Sequence, residues 1–114
     1  FEAIFGAIGV KHAVFAEIGM HDGRESNSRF LRTRFRWRGV GFDEAWENPA
    51  INLVRAHIDP HNLENKLYDA GIPTDLDLLS IDIDGEDIWL LSSLRNYKPR
   101  VIIIEYNAIF NESE

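Results

Sequence analysis

The chain has 114 residues, enough for one packed domain, and its 45% hydrophobic and 11% aromatic content is ordinary for a globular core. A net charge of −7 and a pI near 5.0 argue against a general polyanion binder, so nucleic acid is not an expected partner. The absence of cysteine excludes disulfide staples and thiolate metal sites, and no apolar run approaches the ~20 residues of a membrane span. With no signal-peptide pattern at the start, the expectation is a cytoplasmic protein without a membrane partner. The abrupt start at Phe1 reads as a single domain over residues 1–114 that is incomplete or excerpted from a longer chain.

Short apolar runs alternate with longer polar-apolar segments, the pattern of strand-helix units and a parallel sheet. "AVFAEI", Ala13 to Ile18, reads as the first strand, followed by the glycine-bounded loop "GMHDG". Glu25 to Arg38 reads as a helix that buries Phe30, Leu31 and Phe35; Gly39 to Asp43 as a second strand; and Leu53 to Ile58 as a third. "DPHNLENKLYDAG" has the grammar of a helix, with Asp59 as N-cap, Pro60 at the first position, Leu63 and Leu67 on one face, and Gly71 as the stop. "LDLLSIDID" is the fourth strand, Glu86 to Asn96 a helix that partly buries Ile88, Trp89, Leu91 and Leu94, and "PRVIIIEYN" a nearly continuously apolar fifth strand.

Three features carry chemistry. Gly19 and Gly23 lie between a strand and a helix, where glycine lets backbone approach a ligand, although the spacing is not that of a dinucleotide fingerprint. Asp43 ends the second strand about 20 residues further on, where an acid commonly accepts both hydroxyl hydrogens of a ribose, with Glu44 as the neighbouring candidate. Along "SIDIDG", Ser80, Asp82 and Asp84 share one side of the strand, and Glu105 and Asn107 share a side at the end of strand five. Carboxylates gathered at one sheet end need a cation, a retained proton or backbone donors to compensate their repulsion. "DIDG" also suggests a haloacid-dehalogenase-type phosphatase, but that family expects the motif near the chain start, with a threonine after the glycine. Here it lies past the middle, and Glu86 follows Gly85. The arginines between Arg24 and Arg38 read as a solvated surface more than a phosphate site, the tryptophans as packing residues, and the four histidines show no zinc spacing.

"FAEIGMHDGRESNS", "WRGVGFDE", "HIDPHNLENKL", "LDLLSIDIDGEDIW" and "KPRVIIIEYN" follow the order and spacing of FkbM-like proteins. The chain thus resembles, over Ala13 to Asn107, a family with the class I S-adenosylmethionine-dependent methyltransferase fold. The resemblance implies an α/β, Rossmann-like class I methyltransferase fold with a parallel sheet ordered 3-2-1-4-5 and the cofactor, S-adenosylmethionine, across the ends of strands one, two and four. By position, Glu17, Gly19, Asp22 and Gly23 would line the methionine side of the cofactor. Asp43 would hold the ribose, Ile58 or Asp59 would face the adenine, and Asp82 and Asp84 would stand near the transferred methyl group.

Against the family pattern, His21 occupies the loop, and the last two strands of the fold are not in the sequence. The expected activity is O-methylation of a hydroxyl on a sugar or small natural product. A hydroxyl nucleophile needs a base, for which Asp84 is the first candidate and His21 the second. Mg2+ held by Asp82, Asp84, Glu105 and Asn107 is a variant of the same reading. The alternative is a degenerate methyltransferase fold serving as a binding or assembly subunit. In either case the apolar fifth strand is expected to pair in a homo-oligomer if nothing else covers it.

Overall fold

Val14–Ile18 forms the central strand, β1, and all five of its residues are buried, as a strand covered on both faces requires. It pairs in parallel with β2 (Arg38–Asp43) on one side and β4 (Leu78–Ile81) on the other. Beyond β2 lies β3 (Leu53–Arg55), and beyond β4 lies β5 (Val101–Ile104), both again parallel. The protein is therefore α/β, with a five-stranded all-parallel sheet in the expected order 3-2-1-4-5. The structure, a computed structural model, describes residues 2–19, 29–82 and 87–104. Among them no helix is long and apolar enough to cross a membrane.

Strand alternation divides the core in two. Val14, Ala16 and Ile18 join Val40, Phe42, Leu79 and Ile81 on one face, under Leu63 and Leu67 of α3 (Leu63–Asp69) and Leu90 of α4 (Asp87–Ser92). On the other face Phe15 and Leu78 pack with Phe5 of α1 (Glu2–Ile8), Leu31 of α2 (Arg29–Arg34) and Trp37. Gly39 lies opposite Phe15 in the β1–β2 register. A Cβ there would collide with the Phe15 carbonyl oxygen and come within 2.8 Å of the Phe15 ring, so the close approach of the β1 backbone, with the ring beside it, requires the glycine.

Several elements differ from the sequence expectation. The helix expected from Glu25 to Arg38 is α2, Arg29–Arg34. Arg36 takes a left-handed φ of 60°, which breaks the helix and turns Trp37 into the core. Phe35 is consequently 48% exposed, packed edge to face on Phe30 at the surface. The third strand ends at Arg55, three residues early, because the chain turns away: Asn62 Nδ2 donates to the His57 carbonyl, and Asp59 Oδ1 accepts from the amides of His61 and Asn62. Asp59 thus organises the turn before α3 and is not its N-cap, which is Asn62. In α4 and the turn after it, Leu91 and Leu94 are partly buried as expected, but Leu90 is fully buried and Trp89 faces outward; the Ile88 side chain lies outside the described residues.

The N-terminal ends of the strands are tied by carboxylates. Asp77 is fully buried, and its carboxylate accepts from the amides of Lys11 (2.9 Å), His12 (3.0 Å) and Ala13 (3.2 Å). Arg100 Nη1 lies 3.9 Å from Asp77 Oδ2, and the same guanidinium donates to the carbonyls of Ile8 (2.9 Å) and Gly9 (3.0 Å), satisfying the end of α1. Lys11 Nζ and His12 Nε2 hydrogen-bond to Asp75 and hold its carboxyl down to about 2. On the other layer Glu64 Oε2 of α3 accepts from the amides of Arg95, Asn96 and Tyr97 at 2.7–3.0 Å. Desolvation pushes the Glu64 carboxyl up, but the amides of Tyr97, Arg95 and Asn96 outweigh it and keep the pKa below the ordinary value. Tyr97 in turn donates its hydroxyl to the Ile72 carbonyl at 2.6 Å.

Candidate functional site

In an open parallel sheet the ligand crevice lies outside the C-terminal strand ends, where the chain order reverses. Here that point falls between β1 and β4. Gly19 leaves β1 with φ of 82°, a conformation that suits glycine, and its amide donates to the Phe42 carbonyl at 2.7 Å. The Asp82 amide donates to the Ile18 carbonyl at 2.8 Å. These two bonds continue the ladder past the strand ends and bring Gly19, Asp82 and the end of β2 to one edge of the sheet. Asp43 closes β2 there. Its Oδ2 accepts from the Ala45 amide at 2.9 Å, which orients the carboxylate, and its carbonyl accepts from Ala56.

Glu17 is 2% exposed and pairs in register with Gly41 of β2 and Ser80 of β4, one position short of the strand ends. Its strand neighbour on the same face, Phe15, packs toward α1 and α2. Burial lowers the pKa of Arg32 on α2, and the charge of Glu17 opposes that shift, so the two form a carboxylate–guanidinium neighbourhood beneath the crevice. Arg32 was read from the sequence as one of a solvated group. The signal for its different position is that it follows the buried Leu31 on a helix, while Arg29, Arg34, Arg36 and Arg38 are exposed.

Of the two adenine candidates, Ile58 is buried in the core with Leu63 and Leu67, while Asp59 serves the turn. The turn is further pinned by Asn62 Oδ1, which accepts from the Asp59 amide at 2.9 Å. Beside it, His57 Nδ1 and Glu44 Oε2 stand 2.6 Å apart, clasping the loop after β2 to the loop after β3. Sequence reasoning named Glu44 only as a neighbour of Asp43 and missed this pair, whose members lie 13 residues apart.

His21, Asp22, Gly23, Asp84, Glu105 and Asn107 lie outside the described residues, so of the proposed metal set only Asp82 is described. No group of three or more potential metal ligands occurs among the described residues. What the described edge offers is a glycine-terminated strand, an oriented carboxylate and a half-buried acid converging at a switch point. The chain matches no protein-family model, no curated protein and no solved structure at a significant level.

Proposed function

We propose that this chain is a class I methyltransferase-like domain of the FkbM kind that binds S-adenosylmethionine and methylates a hydroxyl oxygen of a saccharide or small-molecule acceptor. The observation that carries the reading is the convergence of Gly19, Asp43 and Asp82 at the switch point of a 3-2-1-4-5 sheet. Gly19 has no side chain to hold a ligand away from the backbone. A carboxylate offers about four lone-pair sites in all, and the Ala45 amide fixes the orientation in which Asp43 would present its oxygens to a ribose diol. Glu17, buried one position short of the end of β1 with Arg32 nearby, is the acid assigned to the methionine side of the cofactor.

When bound, S-adenosylmethionine supplies an electrophilic methyl group. The residues of the chain have two tasks: to align the acceptor hydroxyl and to take its proton. Asp84 is the proposed base and His21 the second choice, with Asp22 and Gly23 completing the loop after β1. Mg2+ near Asp82, Asp84, Glu105 and Asn107 is a variant in which the cation lowers the hydroxyl pKa.

Calorimetric titration with S-adenosylhomocysteine tests the core of this reading. Wild type is expected to bind, and Asp43→Ala to bind more weakly by about 1–3 kcal/mol, a factor of about 5 to 150. Unchanged affinity in a folded Asp43→Ala protein would remove the ribose assignment. No binding by folded wild type would favour the non-catalytic assembly subunit.

A further inference from the structure

We propose that the groove between the turn before α3 and helix α4 is a carbohydrate-binding subsite, recognised by different residues from those at the strand ends and independent of whether methyl transfer occurs. The groove has a volume of about 310 Å3 and is lined by Pro60, His61, Trp89, Ser92, Ser93 and Arg95. That size is at the lower end of the ~300–1,000 Å3 typical of small-molecule sites. Its wall is an indole that the fold leaves in the open: Trp89 is 67% exposed, while the next residue, Leu90, is fully buried. A flat apolar surface of this kind, with a negative face, suits the C–H side of a pyranose.

The polar groups have a direction. Ser92 Oγ donates to the Trp89 carbonyl at 3.0 Å and Ser93 Oγ to the Leu90 carbonyl at 2.6 Å. Both hydroxyl hydrogens are therefore used within the helix, and the oxygens present lone pairs outward, fit to accept from ligand hydroxyls. Arg95 uses Nη1 on the Ser92 carbonyl at 2.8 Å, and a guanidinium carries five donors in all. An apolar plane flanked by acceptors and donors matches a polyol ring better than a purely apolar ligand.

Both rims are fixed before any ligand arrives. Asp59 holds the His61 and Asn62 amides at 2.8 and 2.9 Å, and Glu64 holds those of Arg95, Asn96 and Tyr97. Such bonds reduce the ordering cost of binding.

The test is titration of the full chain with the methyl glycosides of glucose, galactose, mannose and N-acetylglucosamine. Binding is followed by NMR at the Trp89 indole N–H, assigned with Trp89→Phe. At least one glycoside is expected to shift it saturably, with a Kd on the order of 1 mM. Trp89→Ala should weaken that glycoside at least about tenfold, read from the remaining shifted resonances, while leaving S-adenosylhomocysteine affinity unchanged. If Trp89→Ala fails to fold, Arg95→Met, which leaves the indole in place, is expected to weaken the same glycoside. No saturable shift up to about 20 mM, glycoside affinity unchanged in the folded variant used, or tighter binding of AMP than of every glycoside at this indole would overturn the assignment.

Discussion

Replacing Asp77 by asparagine removes the charge that organises the N-terminal ends of the strands while keeping the side chain's shape. In the native protein three successive amides, from Lys11, His12 and Ala13, converge on a fully buried carboxylate with Arg100 at 3.9 Å. Asparagine retains one oxygen for them, but its amide hydrogens face donors where Oδ1 or Oδ2 had accepted. At least one part-buried amide is left unpaired against the buried side chain, at a cost of about 1–3 kcal/mol, and bonds to a charge become weaker bonds to a neutral acceptor. The expected loss is about 2–4 kcal/mol for Asp77→Asn and about 3–5 kcal/mol for Asp77→Ala, which also leaves Arg100 without its buried counter-charge. Against a typical total of about 5–15 kcal/mol for a domain, either is a large fraction. Urea unfolding followed by circular dichroism measures it as a lower midpoint at constant slope. Hydrogen exchange at residues 11–13 should accelerate in both variants. An Asp77→Asn protein within about 0.5 kcal/mol of wild type would refute the reasoning, since that is the range of an uninvolved surface position.

The amides of residues 95–97 hold the Glu64 carboxyl below its ordinary 4.5, so their contribution is present above that pH and disappears as pH falls through the depressed folded-state value. Glu64→Gln is accordingly expected to be less stable than wild type by about 1 kcal/mol at pH 7, with the gap closing on acidification; a gap that widens toward low pH in parallel melts would be the wrong sign. Under the divalent-ion variant of the proposed function, magnesium should raise the melting temperature by mass action, and Asp84→Asn should blunt the gain. Identical wild-type melting with magnesium and with chelator would leave protons or backbone donors as the compensation for the acidic residues.

The strands were legible because a parallel sheet buried on both faces writes nearly continuous apolar runs: β1, β4 and β5 fall within the expected segments, β3 takes the first half of its own, and β2 begins one residue earlier than expected, at Arg38. Helix phase was less legible. Shifting the inward direction of α4 by one residue exchanges Trp89 for Leu90, and nothing in so short a helix fixes that phase locally. α1 escaped notice because "EAIFGAI" offers only about two turns, interrupted by a glycine. At the site, Gly19 and Asp43 were readable from their positions at strand ends. The Asp77, Glu64 and Glu44–His57 interactions were not, since each joins side chains to groups 13 to 66 residues away and leaves no periodic trace.

The guanidinium that completes α1 belongs to a residue 91 and 92 positions further along the chain than the carbonyls it serves. A seven-residue helix has little stability of its own, so α1 depends on a partner that is synthesised long after it. The β1–β2–β3 half of the sheet closes over short sequence distances, whereas the amides of residues 11–13 and the end of α1 must wait for Asp77 and Arg100. α1 is thus made before β4 and Arg100 and secured only after them, so at this edge of the sheet the order of folding differs from the order of synthesis.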